Sequence, residues 1–463
     1  MREEFIHREE AELKGIFNTI RKRNFKGYSG MAIKNTSYQF SGTLITKLGS
    51  LLFTIVAARL LLPELFGLYS LALGTVIMIA SLFEFGVGSA IIKFVSEALS
   101  KKDKPKAKSY FLYLLKIKGI LILSSAIVLI FLSSFLANTY YNKPIFLALI
   151  AGSFYILATG FIGIFSSLFQ AFNDFKSVFF KEIVNQILRL TIVPISIILI
   201  LNKFSSQESI LFFIIISLGI VYLLTFLFLL LLSFKKLELL KVKREKISQL
   251  EKKNLNRFLF VVSATALSGI FFGYIDMFVL GRYVEGQFIG FYTSALSLVG
   301  SLATLITFSN VLFPLFSRIK GAQLERGFKR SSNLVLLLSS LACIGTVIFA
   351  NLIIRIIYGG EFMDAAPILR IFSLLLIVYP ISGIYDVYFL SVGKPKIVAK
   401  FLVISTFLNL TLNFFFVLWL LKYSQFHATI GACIATLISR YFYLGSLWVS
   451  KKKLSKSKNI KSN

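Results

Sequence analysis

RLLLPELFGLYSLAL, residues 59–73, and RYVEGQFIGFYTSAL, residues 282–296, align without a gap 223 positions apart, and each joins one long apolar run to the next. Arg59/Arg282, Gly67/Gly290, Tyr69/Tyr292, Ala72/Ala295 and Leu73/Leu296 recur in register, with a hydroxyl at Ser70/Thr293. Both copies stand just before the second apolar run of their half. Position and identity together predict a chain made of two copies of one unit.

Outward from these stretches the chain is 56% hydrophobic, with a mean hydropathy of +0.79. That is too apolar for a surface that water must wet. A helix that crosses a bilayer needs about 20 mostly apolar residues. Twelve such runs are legible, at 40–61, 67–94, 110–135, 144–168, 183–202, 210–233, 258–281, 290–317, 334–358, 367–391, 401–421 and 429–449. Their length excludes a barrel, whose strands would be about half as long. The fold expected is all-α: twelve transmembrane helices in two pseudo-symmetric six-helix lobes around a central cavity. The lobes are 37–233 and 258–449, flanked by a cytoplasmic segment 1–36, a basic linker 234–257 and a basic tail 450–463.

The net charge of +30 comes from 51 Lys and Arg against 21 Asp and Glu. Loops on one side hold about 39 of the basic residues and those on the other about four, an asymmetry that places both termini in the cytoplasm of a cell-membrane protein. The charge is therefore topogenic, and no nucleic-acid partner is expected. Ile6, Leu13, Ile16, Phe17 and Ile20 have the spacing of an interfacial helix.

Catalytic chemistry is poorly provided for. The outer loops are short, the two histidines His7 and His427 stand alone, and no phosphate-binding glycine loop occurs. Cys343 and Cys433 both fall inside runs, which argues against a disulfide framework. A transporter without cofactor or metal, acting as a monomer, is the expectation.

Polar residues inside the runs point to its path. Gln39, Thr43, Lys47, Ser50 and Thr54 recur every three to four positions on run 1, and Ser70, Gly74, Ser81 and Glu84 do so on run 2. Run 7 carries Thr265, Ser268, Phe272 and Asp276, and run 8 carries Thr293, Ser297, Ser301, Thr304 and Thr307. Small and hydroxyl residues also let helices pack closely. The stripes fall on the first two runs of each half, where equivalent elements would face each other across a cavity. Lys47, Ser50, Thr54, Ser81, Glu84, Ser297, Ser301 and Thr304 are the candidate substrate residues, and Glu84 and Asp276 the candidate ion-coupling residues. Lys116, Lys118 and Arg189 lie near enough to the inner boundary for their charges to reach it. Pro194, Pro314 and Pro380 lie where they can bend helices, and Asn409 and Asn413 where they can bond one helix to another.

In order and spacing, 59–69 followed by Phe83-Glu84-Phe85-Gly86-Val87 resembles the N-terminal signature of the polysaccharide transporters, the O-antigen flippase-like branch of the multidrug/oligosaccharidyl-lipid/polysaccharide flippase superfamily. Ile275-Asp276, Gly290-Phe291-Tyr292, Ile357-Tyr358-Gly359-Gly360-Glu361-Phe362 and Gly431-Ala432-Cys433-Ile434-Ala435-Thr436 extend the likeness over most of residues 30–450. The resemblance implies two lobes in a V around a cavity and a glycan on a polyprenyl phosphate or diphosphate as substrate. It also implies membrane lipids and glycan polymerases or glycosyltransferases as partners. Three other readings stay open: a cation-coupled multidrug exporter of the same superfamily, a membrane glycosyltransferase or ligase, and a scaffold for glycan enzymes.

Overall fold

The computed structural model describes residues 28–237, 242–307, 316, 319 and 321–460, with backbone alone at 28–33, 261, 263–272 and 455–460. The segment with Ile6 to Ile20, Pro314, and the side chains of Thr265, Ser268 and Phe272 lie outside the described residues. Among those described there is no strand, and ten helices are long and apolar enough to cross a membrane. The protein is an all-helical multi-pass membrane protein. On α8 (Gly321–Ile357), Leu337, Leu341, Ile344, Ile348 and Leu352 are more than half exposed. In water such a face would drive association; in a bilayer it is the face that lipid covers.

Helix α1 (Tyr28–Leu82) holds the first two runs, joined at Leu62, where φ is 60° and ψ 170°. Pro63 explains the ψ, because its ring clashes with a helical residue before it. The second run then departs from expectation: it is not one helix over 67–94. The helix ends at Leu82, residues 83–86 are irregular, and helix resumes as Val87–Ala90, a π-turn Ile91–Val95 and Ser96–Ser100. Gly86 has φ +62°, and a Cβ there would lie 2.5 Å from Val262 Cγ1 of the seventh run. Only glycine serves at that crossing. Irregular backbone inside a bilayer is tolerated where protein or a wet cavity takes up its polar groups.

The first half continues with α2 (Lys104–Ser134, extended by a π-turn Phe135–Tyr141), α3 (Phe146–Ala171), α4 (Phe175–Lys203) and α5 (Gln207–Lys236). These pack mainly on one another and on α1. The second half comprises α6 (Gln249–Tyr283), α7 (Gly286–Ile306), α8, α9 (Ala365–Phe372), α10 (Leu375–Ser391), α11 (Pro395–Leu421) and α12 (Gln425–Ile460). The halves meet chiefly where α1 packs on α7 and α6. The ends bearing residues 62–66 and 283–287 are termed outer, following the loop charges.

The pseudo-symmetry is explicit at the outer ends, because the two quoted stretches cross each other. A Cβ on Gly67 would lie 1.7 Å from Gly286 O, and one on Gly290 2.3 Å from Pro63 O. Pro63 and Gly286 are themselves 223 positions apart, so this is one contact made twice. Arg59 reaches across to cap the Ile356 and Ile357 carbonyls at the end of α8. Arg282 does the same for Thr139 and Tyr140 at the end of α2's extension. A guanidinium at a helix C-terminus satisfies orphan carbonyls and opposes the negative end of the dipole. Nearby, Tyr141 bonds Thr75 at 2.9 Å in the first half and Tyr358 bonds Ser297 at 3.0 Å in the second.

At the inner end, Glu251 at the start of α6 accepts from Lys106 at 2.6 Å and from Tyr110 at 3.0 Å, both on α2, while forming a capping box with Ser248. The bond from Lys106 is the main cause that holds the Glu251 carboxyl down to about 2, so this clasp between halves stays charged at any physiological pH.

Candidate functional site

The helices on either side of the α1–α6–α7 contact enclose a cleft of about 160 Å³ between the halves. Thr54, Tyr69 and Ser70 line it from α1, Tyr274 and Met277 from α6, and Thr293 and Ser297 from α7. The fourth helix of the first half adds Arg189, the one charged side chain in the lining. Its guanidinium lies 3.9 Å from the centre of the Phe53 ring and donates to Ser50 Oγ at 3.3 Å. A ring face stabilises such a cation by about 2 kcal/mol when desolvated. Arg189 Nε and Thr293 Oγ1 are buried without a hydrogen-bond partner, and the buried Tyr69 hydroxyl has the Arg189 guanidinium beside it. Buried polar groups are satisfied almost everywhere in folded proteins, at a cost of about 1–3 kcal/mol where they are not. These polar groups face one another in the cleft with hydrogen-bonding capacity left over.

Sequence reasoning missed Arg189 because it measured depth from the start of the apolar run at 183. The helix begins eight residues earlier, at Phe175 behind an Asp174 cap. Arg189 therefore lies about 20 Å along the helix from its inner end.

The predicted site residues divide into groups. Thr54 and Ser297 line the cleft, and Ser50 holds Arg189. Lys47 and Thr304 each lie seven residues inward of a cleft residue, Thr54 and Ser297, and so share its face two turns closer to the inner end. Lys47 is exposed and borders a shallow cleft with Thr43, Gln170 and Glu182. Ser301, on α7, is half-buried outside the cleft lining. Ser81 is buried and donates to Met78 O of its own helix.

Glu84 stands in the irregular segment and pairs at 2.6 Å with Lys118, which is only 5% exposed. Lys118 therefore does not extend to the boundary. An intramembrane lysine left without that carboxylate would carry the full cost of burial, which is why the pair coexists.

Asp276 is buried in the second half, away from the cleft. It accepts from Tyr292 Oη, from Thr436 Oγ1 at 2.6 Å and from Asn413 Nδ2 at 2.6 Å. Asn409 Nδ2 lies 3.4 Å from the same threonine oxygen. The Oδ1 atoms of Asn409 and Asn413 have no partner. Asp276 is thus a buried carboxylate held by hydroxyl and amide N–H donors, with two unpartnered amide oxygens on the neighbouring asparagines. Among the described residues no three His, Cys, Asp or Glu cluster as metal ligands.

Solved structures share this arrangement of two helical halves crossed at one end over a cleft. The lipid II flippase MurJ in an inward closed conformation superposes with a TM-score of 0.67 at 17% identity, over 88% of this chain and 87% of that one. A multidrug resistance MATE family transporter in its inward-facing conformation gives 0.67 at 14% identity, over 89% and 96%. Residues 32–320 match the family described as polysaccharide biosynthesis protein, and the chain belongs to that family. The probable low-salt glycan biosynthesis flippase Agl15 of Haloferax volcanii is 26% identical over 180 residues, 38% of this chain and 37% of the relative. Stage V sporulation protein B of Bacillus subtilis is 24% identical over 164 residues, 35% and 32%. These matches span about a third of the relatives' lengths.

Proposed function

We propose that the protein moves a polyprenyl-(di)phosphate-linked oligosaccharide from the cytoplasmic to the outer leaflet of the cell membrane by alternating access. The observation that carries this reading is the cleft itself, where one arginine and a ring of hydroxyls face each other across the two halves. A sugar chain bearing phosphate cannot shed its water in about 30 Å of hydrocarbon, and hydroxyls together with a cation replace that water. Family membership and the relative named as a glycan flippase support the substrate class. The outer ends are clasped and the cleft is smaller than the roughly 300–1,000 Å³ of ordinary ligand pockets. The glycan therefore enters by parting the halves, with the prenyl tail left in lipid.

Arg189 holds the phosphate in this account, and Lys47 meets it on the way in. Lys47→Ala is expected to lower surface glycan about two- to fivefold at matched expression, the worth of a partly solvated charge contact. Lys116→Ala, which removes an exposed charge on α2, should leave it unchanged. Equal surface glycan in the two variants would remove Lys47 from the path.

Carrying negative charge outward is favoured by roughly 2.3 kcal/mol per charge per 100 mV of inside-negative potential. The oxygen set at Asp276 adds a second source of drive by taking a sodium ion or proton. Asp276→Asn keeps the shape and most hydrogen bonds, and is expected to abolish the dependence of transport on an imposed ion gradient. Unchanged gradient dependence in that variant would place the ion coupling at groups other than Asp276. A cation-coupled drug exporter fits the same fold. However, the lining of the cleft carries a cation, which repels cationic drugs, and the acid that would attract them is buried elsewhere. Drug resistance conferred on a pump-deficient host, with no change in glycan, would favour that reading instead.

A further inference from the structure

A second cleft, of about 560 Å³, opens at the inner end of the second half, where the start of α8, the end of α10 and the last turns of α12 converge. Arg326, Lys329, Lys451 and Lys452 line it, and Glu325 is its one carboxylate. Glu325 is already engaged: it accepts from Tyr388 at 2.6 Å and from Lys451 at 2.6 Å, and Lys451 also lies 4.4 Å from the Phe328 ring centre. That fixes the floor of the cleft and neutralises the acid. Arg326 and Lys329 are exposed and form no ion pair among the described residues, and Lys452 sits 5.3 Å from the Trp448 ring centre. The Ser332 hydroxyl in the same wall is buried without a partner. None of these groups belongs to the cleft between the halves.

The cleft continues into an apolar strip along α12. Ile438, Tyr441, Phe442 and Trp448 recur at helical spacing, each about 40–53% exposed. Between them Gly445 leaves open space, with nothing within 4 Å of where a Cβ would lie. Leu334 continues the apolar surface on the α8 side at 53% exposed. A basic mouth with an interfacial tryptophan above a hydrocarbon-facing notch has the form of a phospholipid, with phosphate at the cations and acyl chain along the helix.

We propose that this cleft binds the phosphate headgroup of an anionic glycerophospholipid of the inner leaflet. Arg326, Lys329 and Lys452 are the phosphate ligands, Ser332 donates a hydrogen bond, and an acyl chain occupies the Gly445 notch. A soluble phosphate compound would share the cationic ligands but would have no use for the strip.

The chain contains two tryptophans, Trp419 and Trp448, so W419F leaves a single reporter at the cleft. The test reconstitutes this variant in vesicles with either acyl-brominated phosphatidylglycerol or acyl-brominated phosphatidylcholine at equal mole fraction. Quenching of Trp448 is expected to be at least twofold greater with the anionic lipid. Adding R326Q, K329Q and K452Q should reduce it to the phosphatidylcholine level, with the phosphatidylcholine signal and the emission maximum showing that the site remains folded. Millimolar glycerol phosphate should not displace the lipid. Equal quenching by the two lipids, selectivity that survives the triple substitution, or full displacement by glycerol phosphate would each overturn the proposal.

Discussion

Arg189→Gln is expected to reduce export of the lipid-linked glycan by tenfold to a hundredfold while leaving the protein folded and as stable as before. A buried charge can serve structure or it can serve a ligand. A charge held for structure is missed when it is removed. Here the carboxylate that would balance Arg189 is absent from the cleft lining, and its contacts are a ring face, the Ser50 hydroxyl at 3.3 Å and the neighbouring Tyr69 hydroxyl. A guanidinium in the bilayer interior costs roughly 2.5–3.5 kcal/mol on insertion scales, so its removal relieves the apo protein. A charge-assisted bond to phosphate supplies about 1.5–3 kcal/mol, and its loss sets the tenfold to hundredfold range. Arg189→Lys keeps the charge but not the fork and should retain part of the activity. Transport and thermal unfolding, measured on one set of purified variants, check both halves of the expectation. A destabilised Gln variant with normal transport per folded molecule would make Arg189 structural.

Gly67→Val is expected to shift the population away from the outer-closed state by about five- to a hundredfold, and Gly290→Val to do the same. At both positions the obstacle is backbone oxygen of the opposite copy, 1.7 and 2.3 Å from the added Cβ, so no side-chain rotation relieves it. Overpacking of this kind costs about 1–3 kcal/mol, charged entirely to the state in which the stretches cross. A cysteine pair at positions 64 and 287, where the Gln287 backbone N–H donates to the Glu64 carboxylate at 2.6 Å, reports closure by crosslinking. The yield should fall in either valine background, and undiminished yield would mean that the crossing is not the gate.

Much of this could be read from residues alone, and the failures have a common cause. The repeat was legible because the contact it forms is made by backbone and glycine, which demand particular residues at both copies. Long apolar runs were legible because hydrocarbon imposes them. The break at 83–86 was not, because Phe83-Glu84-Phe85-Gly86 interrupts hydropathy too briefly to register, although a glycine two places beyond an intramembrane acid is a signal of irregular backbone. Depth was misjudged at Arg189 and Lys118 because a helix can begin well before its apolar run. The Asp276 set escaped assembly because its members come from α6, α7, α11 and α12. Asn409 and Asn413 were read as bonding helices together, and the structure has them bonding Asp276 and Thr436 across the bundle.

The most direct test places a fluorescent polyprenyl-diphosphate disaccharide in vesicles containing the purified protein and follows its access to an external reducing quencher under an inside-negative potential. The account predicts faster exchange between leaflets with the wild-type chain and near-background rates with Arg189→Gln. Background rates with the wild-type chain, or equal rates with the variant, would contradict it.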